Sequence, residues 1–531
     1  MKSLLVASAL ALLCSLPSAA QELETFTLPA PEPGGGMWFD LQTRFPQVDW
    51  QTLDRLYIPA GHWCTLLLTG LPDRSPDRPL VITNIGGQVK LGGLGCSSHA
   101  ILLRQGSNWR LTGKYDPVAR TGHPDYPGHD GGYAHSAGTY GIWVDDAFET
   151  NGDSGVVVTA GATDFELDYL EVERNGFAGI VLKTDDDGVS HMRNVRVHDN
   201  YVHDNASEGV YLGSTQTPPQ HKFPGLRFYN NRIVRSGTEG VQIGQIGRDS
   251  EIHNNVFVFS ALTWRNPWGP WQDNGGQLGV REANVSIRNN ILIGGAGTFF
   301  QLFPQPRDDD QHFPGDAIEI RDNYFSHSRH VGAFLHPQSD QVTELIVADN
   351  WFREMNFHYD ELDGQTTDAN VVMATWNSDM TMRFVDNTWT GPQTFITAST
   401  PNIITSGNTQ ASFAPVRFLD SGFPADFDYH RLEVWTATRP DGQAVTYGVG
   451  RYVTDIGQPG GGTIWRSLAV NSNQPPANNP AVWEEVPPPA DDYRLHPDSP
   501  FQGIGLLDTG RSIFADGFES GDATLWSVAR P

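Results

Sequence analysis

The sequence predicts an all-β fold: a parallel β-helix, a solenoid of about ten or more coils, with an N-terminal cap and a small C-terminal β module. Three observations carry that reading. First, an asparagine returns about once every 20 to 40 residues between two β-type runs. It does so in VRVHDNYVHD around Asn200, LRFYNNRIVR around Asn231, VSIRNNILIG around Asn290 and MRFVDNTWTG around Asn387, and Asn255, Asn323 and Asn350 hold the same place. Second, another strand recurs between these copies, opened by a small residue and alternating in and out: YGIWVDD, AGIVLKT, EGVYLGS, EGVQIGQ and GQLGVRE. Third, 56 glycines and 36 prolines accompany scarce helix signals, which suits short strands closed by turns.

One coil cannot bury its own apolar side, so coils stack strand over strand and share a continuous core. An asparagine at the same corner of each coil takes a left-handed or bridging turn conformation and passes side-chain hydrogen bonds to the next coil. Period-two alternation turns Ile142/Val144, Ile180/Leu182, Val210/Leu212, Val241/Ile243 and Leu278/Val280 inward.

The elements follow in order. Residues 1–20 have a lysine after the initiator, an apolar run and small residues before Gln21, the pattern of a cleaved export signal. No later run is long enough to span a membrane, so the mature chain is expected to be secreted, periplasmic or extracellular. Residues 21–60 are expected to cap the first coil, and 61–428 to form the β-helix. Insertions at 116–140, 215–225, 263–274 and 304–315 interrupt its turns, and long loops on a rigid solenoid form binding rims. Residues 429–488 form a short aromatic module closed by VPPPADD, and 489–531 a final coil and tail.

A net charge of -27, from 62 acidic and 35 basic residues, repels nucleic acid and anionic membrane and tolerates an acidic polymer only where basic residues concentrate. Removal of the signal takes Cys14 with it and leaves Cys64 and Cys96, a pair open to oxidation outside the cytoplasm. The chain is expected to act as a monomer on polysaccharide, without membrane insertion and without an organic cofactor.

If the second strands stack in register, the residues after their last core positions form a column of Asp145, Lys183, Gly213, Gly244 and Arg281. Lys183 and Arg281 then bracket two glycines across a gap of roughly 14 Å, room for one or two sugar rings. Glu208 and Glu239 precede their glycines on adjacent coils, with Tyr211 and Gln242 beside them. Two chemistries fit. β-Elimination on a uronate needs a base, here Lys183 or Arg281, and a cation that neutralises the developing enediolate. Asp185, Asp186 and Asp187, with Asp145, supply carboxylates that suit calcium. Glycoside hydrolysis needs a carboxylate pair, and Glu208 with Glu239 at about 5 Å predicts retention of configuration. Trp264, Trp268 and Trp271 share one loop before Arg281 and offer faces for stacking on sugars. A third reading is a non-catalytic glycan-binding or adhesive β-helix.

The repeated N-x-[IVF] and E-G-V-x-[IL]-G patterns resemble right-handed parallel β-helix proteins of the pectate-lyase-like superfamily over roughly residues 60–410. The resemblance implies a fold shared by polysaccharide lyases, glycoside hydrolases, epimerases, esterases and adhesins. The epimerase DPHD, the paired aspartates of polygalacturonases and the vWiDH/RxPxxR pair of pectate lyases have no counterpart here. The segment with an early VW, YGVGRY, IWRSL and NQPPANNPAVW resembles a chitin-binding type 3 or related carbohydrate-binding module. That resemblance marks Trp435, Tyr447, Tyr452, Trp465 and Trp483 as its aromatic positions. The ending DGFESGDATLWS resembles a short C-terminal motif of exported proteins of Gram-negative bacteria.

Overall fold

Each coil is built from three short β-runs whose inward residues are aliphatic or aromatic, and the corners between them decide how the coils stack. The computed structural model describes residues 23–507 apart from 32–35, 94, 97–98, 115–139, 147, 149–151, 184–191, 214–221, 267–271, 273, 283, 296–297, 305–316, 330, 336–343, 356–369, 375–379, 398–400, 424–426 and 431. Among these, eleven strands from Gly36–Asp40 to Val372–Ala374 form one parallel sheet, and 23 strands form a second, bent one. A representative coil runs Arg196–His198, turns at Asp199–Asn200, continues through Tyr201–Asn205 and closes with Val210–Leu212. The next coil repeats it at Arg227–Tyr229, Arg232–Ser236 and Val241–Ile246, all pairing parallel.

The asparagine ladder is present. The Nδ2 of Asn200 donates to Oδ1 of Asn231 (3.0 Å), and the same link runs through Asn255, Asn290, Asn323, Asn350 and Asn387 to Asn408 at 2.9–3.1 Å. Each Oδ1 also accepts the backbone N–H of the preceding ladder asparagine, as Asn290 does from Asn255. One detail differs from expectation. The left-handed backbone falls on the residue before each ladder asparagine, at Asp199, Asn230, Asn254, Asn289, Asp322, Asp349 and Asp386, with φ of 53 to 56°. Short polar side chains tolerate that conformation, and the turn they make aims the following asparagine inward.

The core is one column of side chains along the solenoid, including all ten residues expected to point inward. The strand Ile142–Asp145, however, belongs to the bent sheet and pairs with Leu170–Glu173, whereas its expected place beneath Ile180–Leu182 is taken by Val156–Thr159. At the N-terminus, Thr25–Thr27 and Gly36–Asp40 already pair with Arg55–Trp63 and Thr65–Thr69, and the cap helix is the single turn Leu41–Arg44, opened by Asp40 accepting from the N–H of Thr43. Cys64 and Cys96 form a disulfide.

The chain after the last coils folds back along the solenoid. Leu432–Val434, Tyr452–Thr454, Ile464–Ser467 and Trp483–Val486 make a four-stranded sheet around Tyr447, Val453, Trp465 and Trp483. Asp492–Leu495, expected in a final coil, pairs antiparallel with Phe418–Asp420. The outer face, with Tyr201, Val256, Ile291 and Tyr324 in one row and Val234, Val258 and Ile293 in the next, is covered by Phe427, Leu432, Tyr493, Ile504 and Leu506. Asp491 anchors the contact. Its carboxylate accepts from Tyr201 (2.6 Å) and twice from Arg235 (2.7 and 2.8 Å), and Arg235 also holds Asp204.

Candidate functional site

Parallel pairing of the eleven-stranded sheet places Val181, Tyr211, Gln242, Gln277 and Gln301 in one row. Their neighbours on either side, among them Val210, Leu212, Val241, Ile243 and Leu278, enter the core, so this row faces out. It is nevertheless well covered: Tyr211, Gln242 and Gln301 are buried. Gln301 Oε1 accepts from Asn274 (2.8 Å) and Gln277 (3.5 Å), and Thr298 donates to Asn274. Sequence reasoning missed Asn274, Gln277, Thr298 and Gln301. The signal was available, since VQI, GQL and FQL carry glutamine at the same step of successive strands.

Glu208 and Glu239 lie one coil apart at the head of these strands. The N–H of Gly209 donates to the carbonyl of Glu239 (3.0 Å), and that of Gly179 to Glu208 (3.2 Å). A side chain at position 209 would lie 2.6 Å from Ile233 and 2.7 Å from the carbonyl of Gly240, which is why glycine follows the glutamate. The preceding hydroxyls, Ser207 and Thr238, meet at 3.2 Å. Both glutamates are buried, and burial raises the Glu208 carboxyl above the usual range, against an opposing hydrogen bond from Ser207. Adjacent strands set the two carboxylate-bearing positions roughly 5 Å apart.

The cationic column does not form. Asp145 stands opposite Glu173 on the bent sheet, where Arg174 binds it at 2.6 and 2.9 Å and Lys90 at 3.3 Å. Lys183 instead adjoins Val158 through its backbone N–H (2.9 Å) and aligns with Gly213. Arg281 is displaced as well. The register differs by two residues from the expected one, with Leu278 opposite Ile243 and not Val241, and one extra residue near Gln245, at φ 63°, then bulges Val241–Ile246 so that Val280 pairs with Ile246. Arg281 then follows Ile246 and is buried, not at the step of Lys183. Period-two alternation reads which face a residue takes; it does not read which strand lies beneath, nor a bulge.

Trp264 is half-buried, with the Arg265 and Arg329 guanidinium groups 4.1 and 3.4 Å from its ring centroid, and Arg265 pairs with buried Glu433 at 2.5 Å. Trp268, Trp271, Asp185, Asp186 and Asp187 lie outside the described residues. In the C-terminal module Tyr447, Trp465 and Trp483 pack into its own core, with Trp435 against it, and Tyr452 lies against the solenoid-facing cluster.

Residues 94–257 match the family described as a right-handed β-helix region. The fold is a right-handed parallel β-helix. No curated protein matches the sequence. Solved structures similar to this β-helix include an alginate lyase from Paenibacillus (14% identity, 66% of this chain and 92% of that one, TM-score 0.35). The A-module of a mannuronan C-5 epimerase from Azotobacter vinelandii is 14% identical over 68% of this chain and 91% of its own, with a TM-score of 0.37. A tailspike of the Escherichia coli bacteriophage HK620 is 14% identical over 77% and 68%, with a TM-score of 0.35. Likenesses this distant carry nothing about chemistry.

Proposed function

We propose that this β-helix is an exported, carbohydrate-active enzyme that hydrolyses a polysaccharide with retention of configuration, using Glu208 and Glu239. The in-register placement of the two glutamates on adjacent coils, with Glu208 biased toward its protonated form by burial, carries the reading. Adjacent strands bring the two positions that carry the carboxylates to roughly 5 Å, the spacing at which one carboxylate can attack while the other donates a proton. Glu208 gives its proton to the glycosidic oxygen as Glu239 attacks the anomeric carbon, and the leaving sugar departs as an alcohol. Glu208, now ionised, takes a proton from water, which cleaves the glycosyl ester and restores both groups. Both glutamates are buried, so this reading requires the turns over them to part when a sugar binds. The Cys64–Cys96 disulfide supports an oxidising compartment and hence export, and no helix among the described residues is long and apolar enough to cross a membrane.

The lyase reading keeps one observation in its favour. Lys183 aligns with Gly213, so no charged side chain of the neighbouring coil competes with it at that step, where the Phe223 ring packs against the glycine. In that reading Lys183 or Arg281 would be the base, and Asp185, Asp186 and Asp187 would hold a calcium ion able to neutralise the uronate. A panel of neutral and uronate polysaccharides separates the readings. Reducing ends without ultraviolet absorbance, lost in Glu208→Gln, support hydrolysis. Unsaturated products lost in Lys183→Ala, or on chelation of calcium, support elimination. Binding without turnover refutes both and leaves a glycan-binding protein.

A further inference from the structure

A second surface, on the bent sheet, concentrates positive charge in a strongly acidic protein. A groove of about 300 Å³ is lined by Arg193, Arg196, Arg227 and Arg248, with Asp249 the one acidic residue in its wall. Four of the chain's 35 basic residues meet here, against 62 acidic ones elsewhere and in this wall.

Three stacked turns build the groove. The N–H of Asn194 donates to Pro224 (3.0 Å) and that of Gly225 to Arg248 (2.8 Å), so the turns repeat coil on coil. Asn194, Gly225 and Asp249 share the left-handed conformation, with φ of 50, 71 and 57°. The middle turn carries no side chain of its own: one at position 225 would meet Asn194 Oδ1 at 2.6 Å, so the Asn194 amide, which donates to Asp164 (2.6 Å), lies against the glycine. Arg193 and Arg248 stand two coils apart, roughly 10 Å along the solenoid axis. Arg196 and Arg227 are direct register partners, one coil spacing apart.

The nearby carboxylates do not neutralise this row. Glu166 lies 3.6 Å from Arg196 but already holds Arg110 (2.9 Å) and His198 (3.2 Å). Glu251 lies 3.7 Å from Arg227 and is shared with Arg288 at 2.7 Å. Glu282 is taken by Lys222 (3.1 Å) and by the N–H of Arg248. Asp249 accepts from Asn284 through its side chain and from Arg227 through its carbonyl. Arg193 forms no ion pair among the described residues, and the Arg196 side chain is 60% exposed.

We propose that this groove binds a segment of an anionic polysaccharide, carboxylated or sulfated, at a site separate from Glu208 and Glu239. Planar guanidinium groups take carboxylate and sulfate oxygens in paired hydrogen bonds. Cations spaced along the coil axis match a chain that carries a charge on successive sugars better than a single small anion. Duplex nucleic acid, with a charge about every 1.7 Å, extends past the groove onto the acidic remainder and is repelled.

The test measures affinity of the full-length protein for polygalacturonate, heparin, a neutral β-glucan and duplex DNA by calorimetry at low and high salt. The proposal expects binding to polygalacturonate or heparin, the better of the two identifying carboxylate or sulfate. It expects that binding to weaken at least tenfold in Arg193→Gln/Arg196→Gln, to fall with added salt, and to persist in Glu208→Gln. An unshifted melting temperature in the double variant shows that its fold is intact. Unchanged affinity in the double variant, no binding to either polyanion, or equal binding to DNA overturns it. Because Glu208→Gln reports on hydrolysis alone, failure of the groove and failure of the proposed reaction are told apart.

Discussion

Replacing a ladder asparagine in mid-solenoid with alanine tests whether the ladder is a source of stability or a by-product of stacking. Asn290 is fully buried. It accepts from the backbone N–H and the Nδ2 of Asn255, both at 3.0 Å, and donates to Asn323 Oδ1 (2.9 Å) and the carbonyl of Ile252 (3.0 Å). In Asn290→Ala, Asn255 Nδ2 keeps the carbonyls of Phe228 and His253, and Asn323 Oδ1 keeps the backbone N–H of Asn290. The Asn255 N–H and the Ile252 carbonyl lose these bonds inside the corner. Two buried groups left unsatisfied cost about 1–3 kcal/mol each, so the loss is about 2–6 kcal/mol. Asn408 makes the same kind of bonds at the end of the ladder, accepting from Asn387 and donating to Phe384, but is only half-buried. Water replaces its partners, and Asn408→Ala costs about 1 kcal/mol or less. Urea unfolding of both variants, followed by far-ultraviolet circular dichroism, measures the difference. Equal losses at the two positions refute the argument that burial of the corner makes the ladder stabilising.

Three further outcomes follow from the same geometry. On a polysaccharide the enzyme hydrolyses, Glu208→Gln lowers kcat about 10²- to 10⁴-fold with little change in melting temperature, read by reducing-end release. Asp491→Ala removes one of two carboxylates from buried Arg235 and costs about 3–5 kcal/mol; limited proteolysis then cuts the chain after residue 411 faster than in the parent protein. Stability falls as pH rises toward 9. Burial works against protonation of His198, but the hydrogen bonds its ring donates to Asp199 and Glu166 raise it from 6.5 to about 9, so its contribution is full below pH 6.5 and lost by about pH 9. Glu173, raised by burial and then by Asp145 from 4.5 to about 8, loses its contribution between those values. Thermal melts of His198→Gln between pH 6.5 and 9 are flatter than those of the parent, and an unchanged slope refutes the assignment.

The repeat architecture was legible in the chain because a solenoid writes its period into local sequence. Asn200 to Asn408, the flanking strands and the inward residues each follow from contacts with the adjacent coil, which recur at short separation along the chain. The glutamate pair was legible for the same reason: S-E-G-V and T-E-G-V sit on consecutive coils, and the glycine that follows each is demanded by the next backbone. The cationic column was not legible. Ile142–Asp145 has the same alternation as the strands of the eleven-stranded sheet, yet pairs with the bent sheet, and a two-residue register offset followed by a one-residue bulge moves Arg281 past Gly244. The arginine groove and the Asp491 anchor were also beyond sequence. Arg193, Arg227 and Arg248 come from three coils, and Asp491 meets Tyr201 and Arg235 across more than 250 residues. By itself, the sequence determined what depends on one coil and its neighbour. Only the tertiary structure decided which side chains from distant segments share a surface, because that depends on strand choice, bulges and the return path of the chain, none of which alters local periodicity.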